Sequence, residues 1–211
     1  MFQLHKPTLD EARQYLATLQ GSSFSYDAVG CIRTGKYPPR FNVDHHRVLL
    51  GHGADAFVSA CQAVCDWRFF PAKVADIAPR PEPITVGTMV AVVYHAWPIF
   101  VWTLMPARIL EVIDSTKQGS HVEVRQFGFT CGTLPGHWEM GEERFLVEWL
   151  KSDNSVWYDL LAVSRPRHWL ARLGYWFARR EQGRFRIESG LAMQAAVKEH
   201  QTASETQGAT A

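Results

Sequence analysis

The sequence predicts an α+β fold in which an antiparallel sheet wraps around a long C-terminal helix. Residues 84–163 contain strand-length runs rich in β-branched and aromatic residues. After Pro166 the apolar residues recur at helical spacing to about His200. Of 211 residues, 46% are hydrophobic and 20% are charged, so the chain can bury a core without disulfides or metal ions.

The N-terminal third predicts a helix, a strand and a second helix. Thr8 followed by Glu11 has the spacing of a capping box, and Gly21 ends the helical pattern that follows. Residues 43–50 predict a strand, and residues 55–67 predict the second helix. We therefore divide the chain into an N-terminal helix (1–22), a single domain (23–200) and a disordered, polar tail (201–211).

The β-rich region includes a long uncharged stretch. Residues 83–107 contain no Asp, Glu, Lys or Arg, which is long enough for a transmembrane helix. Pro98 and Pro106 interrupt it, and its composition favours two buried strands joined through residues 95–98. The alternative is a strand hairpin in a membrane barrel, a structure whose sequence signal is intrinsically weak. Further along, a change of phase between Val124 and Phe127 predicts a bulge near Gln126.

This order of elements resembles the helix-grip architecture, which is START-like or Bet v 1-like. In that architecture a curved antiparallel sheet wraps the C-terminal helix and often leaves an apolar cavity. An irregular α+β sandwich is the alternative. The analogy indicates fold and leaves function open. The predicted cavity-lining residues are aromatic: Trp102, Phe129, Phe145, Tyr158 and Trp176.

Residues 134–137, Leu-Pro-Gly-His, have the composition of a type II turn. The simpler interpretation is a connection between two strands. The alternative is an acid–base enzyme in which His137 works with Glu142 or Glu143. The strand connection is favoured because no nucleophile or oxyanion motif accompanies the turn. Motifs for nucleotide binding are also absent, so we expect neither a nucleotide nor a cofactor.

Histidines and cysteines predict neither a metal site nor a disulfide framework. His45 and His46 are adjacent on a strand and therefore face opposite sides, and the spacing to His52 matches no zinc signature. The four cysteines include no CxxC pair, and the first residues do not form a secretion signal. Reduced thiols in a cytoplasmic, non-secreted protein are the expectation.

The segment after the sheet is basic and aromatic. Between Arg165 and Arg186 seven arginines accompany a single acid, Glu181. On a helix, the aromatic residues would pack on the sheet and the arginines would face water. The functional alternatives are an anionic membrane surface and, with less support from a net charge of +1, nucleic acid. The predicted basic surface comprises Arg165, Arg172, Arg179, Arg180, Arg184 and Arg186.

Several motifs together resemble the family described as domain of unknown function 1990. The similar segments are 24–30, 44–51, 56–57 leading to 67–69, 127–129, 132–137, 141–145, 156–158, 164–166 and 180–192. Cys131 departs from the pattern, which usually has an aromatic residue before Gly-Thr-Leu, and Trp138 is bulkier than expected. The resemblance implies no reaction, although plant relatives are linked to the chloroplast outer envelope and to ion conduction.

The leading hypothesis is a cytoplasmic or peripheral binding protein for a lipid or another hydrophobic small molecule. The aromatic β-region, the long C-terminal helix and the absence of catalytic motifs support it over an enzyme. A membrane-associated or pore-forming protein is the second hypothesis, and the acid–base enzyme is the third.

Overall fold

The computed structural model describes residues 2–71, 75–96, 101–118, 123–167 and 175–208. Its elements follow the predicted order of helix, strand, helix, several strands and a long helix. They are β1 (Phe2–Gln3), α1 (Leu9–Thr18), α2 (Cys31–Thr34), β2 (Asn42–His52), α3 (Gly53–Cys65), β3 (Ala75–Ala78), β4 (Met89–Ala96), β5 (Val101–Gln118), β6 (Glu123–Thr133), β7 (Glu139–Leu150), β8 (Ser155–Pro166) and α4 (Tyr175–Gly208).

The described strands form one antiparallel sheet in the order β2-β8-β7-β6-β5-β4-β3, and β1 pairs with β5. Helices α3 and α4 pack on one face of this sheet, which we call the inner face. Helices α1 and α2 pack on the opposite, outer face. The predicted fold class, an antiparallel sheet gripping a C-terminal helix, is confirmed. The uncharged stretch supplies β4 and the first part of β5, which pair directly with each other.

Helix α1 begins as its sequence predicts. The Thr8 side chain accepts a hydrogen bond from Glu11 N, and the Glu11 carboxylate accepts one from Thr8 N at 2.7 Å. These reciprocal bonds satisfy two amides that the helix itself cannot. Buried Ala12 and Leu16 then pack on the outer face of β4 and β5, which fixes the helix on that face.

Aromatic rings fill the centre of the inner face. Phe69 lies 4.4 Å from Phe145 between ring centroids, and Trp67 lies 5.1 Å from Phe129. Phe70 adds a contact with Phe145 at 6.2 Å. Such ring pairs stabilise the fold by more than the burial of their apolar area alone. The region between the sheet and the middle of α4 is therefore a packed core.

The long helix α4 changes character along its length. Its C-terminal half buries Met193, Ala196 and Val197 against the core. Its N-terminal half turns arginines toward the sheet, where Arg179 and Arg186 pair with Asp44 of β2. The prediction that arginines face water therefore needs correction for these two residues, because a buried carboxylate lies opposite them.

The helix also continues through residues 201–208, which were predicted to be disordered. Ala and Glu in this stretch favour helix, and Thr202 Oγ1 donates to the carbonyl of Lys198 at 3.0 Å. Residues 209–211 lie outside the described residues.

Of the other predicted basic residues, Arg165, Arg180 and Arg184 are exposed, and Arg172 lies outside the described residues.

The predicted turn at residues 134–137 is present. His137 N donates to Leu134 O at 3.1 Å, and Gly136 has a φ of +100°. A side chain at Gly136 would collide with Tyr15 of α1, whose hydroxyl lies 2.2 Å from the position of an ideal Cβ. Glycine is thus required both by the turn and by the close approach of the helix.

The predicted bulge near Gln126 is wrong, because β6 pairs with β5 and β7 without a register shift there. The irregularities lie between Ile109 and Glu111 in β5 and between Leu49 and Gly51 in β2.

Candidate functional site

A cleft of about 330 Å³ opens between α3, the β3–β4 connection and the inner face of β5 and β6. Its walls are mostly apolar, with a few polar groups from Gln62 and Glu82. Small-molecule sites are typically concave and apolar, with a small number of polar groups that fix the orientation of the ligand. The lining residues are Gln62, Val64, Cys65, Glu82, Pro83, Ile84, Val112, Phe127, Gly128 and Phe129.

The β5 bulge positions one wall of this cleft. At the bulge, Ile109 N donates to Thr88 O, and Gly87 N donates to Ile109 O, both at 2.9 Å. The indole Nε1 of Trp67 donates to Pro81 O at 3.2 Å and holds the other end of the connection. The connection that carries Pro83 and Ile84 is therefore fixed at both ends beside β5.

Three of the predicted cavity residues, Phe129, Phe145 and Tyr158, lie in one buried cluster on the inner face, with 5.3 Å between the Phe129 and Phe145 ring centroids. Phe129 lines the cleft, whereas Phe145 and Tyr158 are fully buried in the core. Trp102 lies on the outer face near α1 and stacks on His95, with 4.5 Å between the ring centroids. The side chain of Trp176 lies outside the described residues.

Sequence reasoning missed most of the cleft. The spacing of Cys61 and Cys65 indicates one face of α3, and the prolines of residues 79–83 indicate a rigid connection. Nothing local to either segment shows that they flank the same strands. Burial raises the pKa of the Cys65 thiol, so this lining residue is a neutral, apolar group at neutral pH.

His137 forms its hydrogen bonds within the strand connection. Its Nδ1 accepts a hydrogen bond from Glu139 N at 3.0 Å. Burial lowers its pKa to about 4, which keeps the ring neutral at physiological pH. Among the described residues, its hydrogen bonds join it to the backbone of Glu139 and to neither Glu142 nor Glu143. The hydrogen bonds of His137 therefore belong to the turn, and its pairing with Glu142 or Glu143 in acid–base chemistry stays a hypothesis.

Glu142 anchors the segment that leads into α2. It is 2% exposed and points to the outer face. Its Oε1 accepts from Tyr26 Oη at 2.9 Å and from Gly30 N at 2.5 Å, and its Oε2 accepts from Ile32 N at 3.0 Å. Both carboxylate oxygens are thus engaged in holding the chain, which is a structural role.

Glu143 points the other way, to the inner face, because successive strand residues alternate. Partial burial, reinforced by the charge of Glu139, raises the pKa of its carboxyl group to about 8. Part of its side chain nevertheless stays accessible. The two adjacent acids, which sequence reasoning could not distinguish, therefore occupy unrelated environments.

Within the described ranges, no three His, Cys, Asp or Glu side chains are grouped so that they could hold a metal ion. None of the helices in the described part of the chain is long and apolar enough to cross a membrane.

Two relatives that are similar in sequence carry the same family name. A UPF0548 protein of Dictyostelium discoideum is 30% identical, over 95% of this chain and 98% of the relative. A UPF0548 protein of Arabidopsis thaliana is 31% identical over 72% of each chain. Among solved structures, human STARD10 is similar, with 8% identity, 96% of this chain and 84% of the other covered, and a TM-score of 0.47.

The family model described as "Domain of unknown function (DUF1990)" matches residues 25–192, which is most of the chain. This range includes every strand from β2 to β8 and the first half of α4. The chain thus belongs to the DUF1990 family, as the resemblance of its motifs predicted.

Proposed function

We propose that this protein binds a hydrophobic small molecule, without transforming it, in the cleft between α3 and the β3–β4 connection. One observation carries the proposal: an apolar recess of about 330 Å³ persists beside a core that is otherwise tightly packed. Ligand sites are typically concave and mostly apolar, which is the character of this recess.

The chemistry of the walls favours an apolar ligand. Val112 and Phe127 of adjacent strands, together with Ile84, offer hydrocarbon surface, and transfer of such surface from water stabilises binding by about 25 cal/mol per Å². Glu82 and Gln62 supply the polar groups. The recess lies at the small end of the range for ligand sites, roughly 300–1,000 Å³, which favours a compact molecule or one end of a chain.

The test combines native mass spectrometry of gently purified protein with titration of the fluorescent probe 1-anilinonaphthalene-8-sulfonate. Val112→Trp fills the cleft and should weaken probe binding by at least tenfold. Val58→Trp is the matched control, because Val58 lies on the same wall helix, α3, but is 65% exposed and outside the lining. It should leave the affinity unchanged.

A bound apolar molecule that is lost in Val112→Trp and retained in Val58→Trp would support the proposal. If both variants bind the probe like the natural chain, and no co-purifying molecule is found, the cleft is not a binding site.

A further inference from the structure

The apolar cleft between α3 and the β3–β4 connection has a buried floor and a polar mouth. At its floor, Val64 and Phe129 are fully buried. At its mouth, Gln62 and Glu82 are exposed. A molecule that enters the cleft would therefore place its hydrocarbon against the floor and its polar head group beside Gln62 and Glu82. The chemistry of these two residues decides which head group fits.

Both residues at the mouth offer hydrogen-bond acceptors. The amide Nε2 of Gln62 donates to Asp66 Oδ1 at 2.9 Å, which orients the amide and leaves its Oε1 free to accept. The ionised carboxylate of Glu82 can only accept. Among the described residues, Glu82 has no hydrogen bond or ion pair. A head group with N–H or O–H donors finds partners here, whereas a carboxylate head group brings only further acceptors.

The mouth is also negatively charged. None of the described residues that line the cleft is a lysine, arginine or histidine. The carboxylates of Asp66 and Glu82 both lie near the thiol of Cys65, whose pKa is raised by burial and, after that, by these two negative charges. Glu82 therefore adds charge as well as an acceptor to the place where a head group would lie.

Neighbouring arginines do not neutralise this charge. The arginine that follows α3, the arginine of the β3–β4 connection and the arginine that precedes Phe127 are each paired with a different carboxylate. These pairs are Arg68 with Glu199 at 2.5 Å, Arg80 with Asp76 at 2.7 Å, and Arg125 with Asp114.

We propose that the cleft selects a compact apolar amine, with its ammonium group beside Glu82 and its hydrocarbon against Phe129. This selectivity rests on the proposed function of the cleft and names the class of ligand that it takes. A neutral alcohol of the same shape keeps a donor but lacks the charge, so it binds less tightly than the amine. An anion of the same shape binds least, because it meets like charge and has no donor.

The exposure of Glu82 limits how large this selectivity is. An exposed ion pair contributes up to about 1 kcal/mol, so each step from cation to neutral ligand to anion should change the affinity about threefold to fivefold. The preference should also shrink as salt screens the charge, and little of it should remain at about 1 M salt, where the screening length is about 3 Å.

Three probes with the same ring system test the proposal: 2-naphthylmethylamine is a cation, 2-naphthylmethanol is neutral and 2-naphthoate is an anion. Isothermal titration of the full chain at pH 7 and low salt should rank them in that order of affinity. Glu82→Gln should bring the affinities of the amine and the naphthoate to within about twofold of each other. The same substitution should tighten binding of 1-anilinonaphthalene-8-sulfonate, whose sulfonate is an anion.

Glu111→Gln is the matched control. Glu111 precedes the lining residue Val112 on β5, and its side chain lies on the opposite face because successive strand residues alternate. Among the described residues it has no hydrogen bond or ion pair, so this substitution removes the same charge without breaking a contact. The order of the three affinities and their ratios should stay as in the natural chain.

The outcomes separate this selectivity from the proposed function. If the alcohol binds and Val112→Trp weakens it, but the amine and the naphthoate bind equally or their ratio is the same in Glu82→Gln, the cleft is a binding site and the amine selectivity is wrong. If none of the three probes binds, both proposals fail. A melting curve shows whether Glu82→Gln is folded. Should it be unfolded, the salt dependence of the ratio in the natural chain decides, and a ratio that salt does not change overturns the selectivity.

Discussion

Replacing Glu142 by Gln tests how strongly the outer-face anchor holds the chain. The carboxylate accepts three hydrogen bonds, whereas a Gln side chain has one oxygen and one NH₂ group. If the amide oxygen faces Tyr26 and Gly30, the NH₂ group faces the N–H of Ile32, and two donors oppose each other. One bond is lost, and the other two change from a charged to a neutral acceptor.

The structure gives the magnitude. A hydrogen bond to a charged group contributes about 1.5–3 kcal/mol and a neutral one about 0.5–1.5 kcal/mol. Loss of one bond and weakening of two therefore destabilise Glu142→Gln by roughly 4 kcal/mol. For a chain of this size, the melting temperature should fall by on the order of 10 °C.

Urea unfolding followed by tryptophan fluorescence measures this change, and hydrogen exchange at the Ile32 amide locates it. Glu148→Gln is the matched control: Glu148 lies on the same strand and the same outer face, but it pairs with Arg47 near the surface. Such pairs contribute up to about 1 kcal/mol. The Oε1 of Glu148 also accepts from Gln126 Nε2 at 2.7 Å, a bond that a Gln oxygen can still accept. Equal stability of the two variants would refute the assignment of Glu142 as an anchor.

Three further changes test the inner face. Tyr158→Phe removes the buried 2.9 Å hydrogen bond to Ser189 and should cost about 1 kcal/mol in urea unfolding. Glu143→Gln should become more stable relative to the natural chain as pH rises from 5 to 8. The reason is that the raised pKa of Glu143 makes the folded state hold a proton that the unfolded state releases. A difference in unfolding free energy between the two chains that stays the same from pH 5 to 8 contradicts this. Burial acts to raise the pKa of Asp44, but the hydrogen bond from Arg179 and the positive charges of Arg186 and Arg179 together outweigh it and lower that pKa. The stabilisation by Asp44 is therefore present at neutral pH and lost as pH falls through its lowered pKa, and Asp44→Asn should lose this acid sensitivity in thermal melts.

Features that depend on neighbours in sequence were predictable. The capping box of Thr8 and Glu11 spans three residues, and the Leu134–His137 turn spans four. Their hydrogen bonds are formed by the same residues that make up the sequence signal. The order of the elements was predictable for a similar reason, since strand-forming and helical residue patterns extend over whole segments.

The candidate sites depend on contacts far apart in the chain. Glu142 meets its partners across 110 to 116 residues, so nothing near it distinguishes it from Glu143. The error at Gln126 has a related cause. Alternation of apolar and polar residues indicates register only if one face of the strand is exposed to water. On β6 the polar residues Gln126 and Thr130 are buried on the outer face.

Two neighbouring acids with opposite orientations also constrain how β7 can pair. A slip of one residue would move Glu142 to the inner face, away from its three donors, and would place Glu143 among them. Phe145 would at the same time leave the aromatic core. A misregistered sheet thus carries a penalty at both faces, and the pair Glu142–Glu143 helps to specify one alignment of the strand during folding.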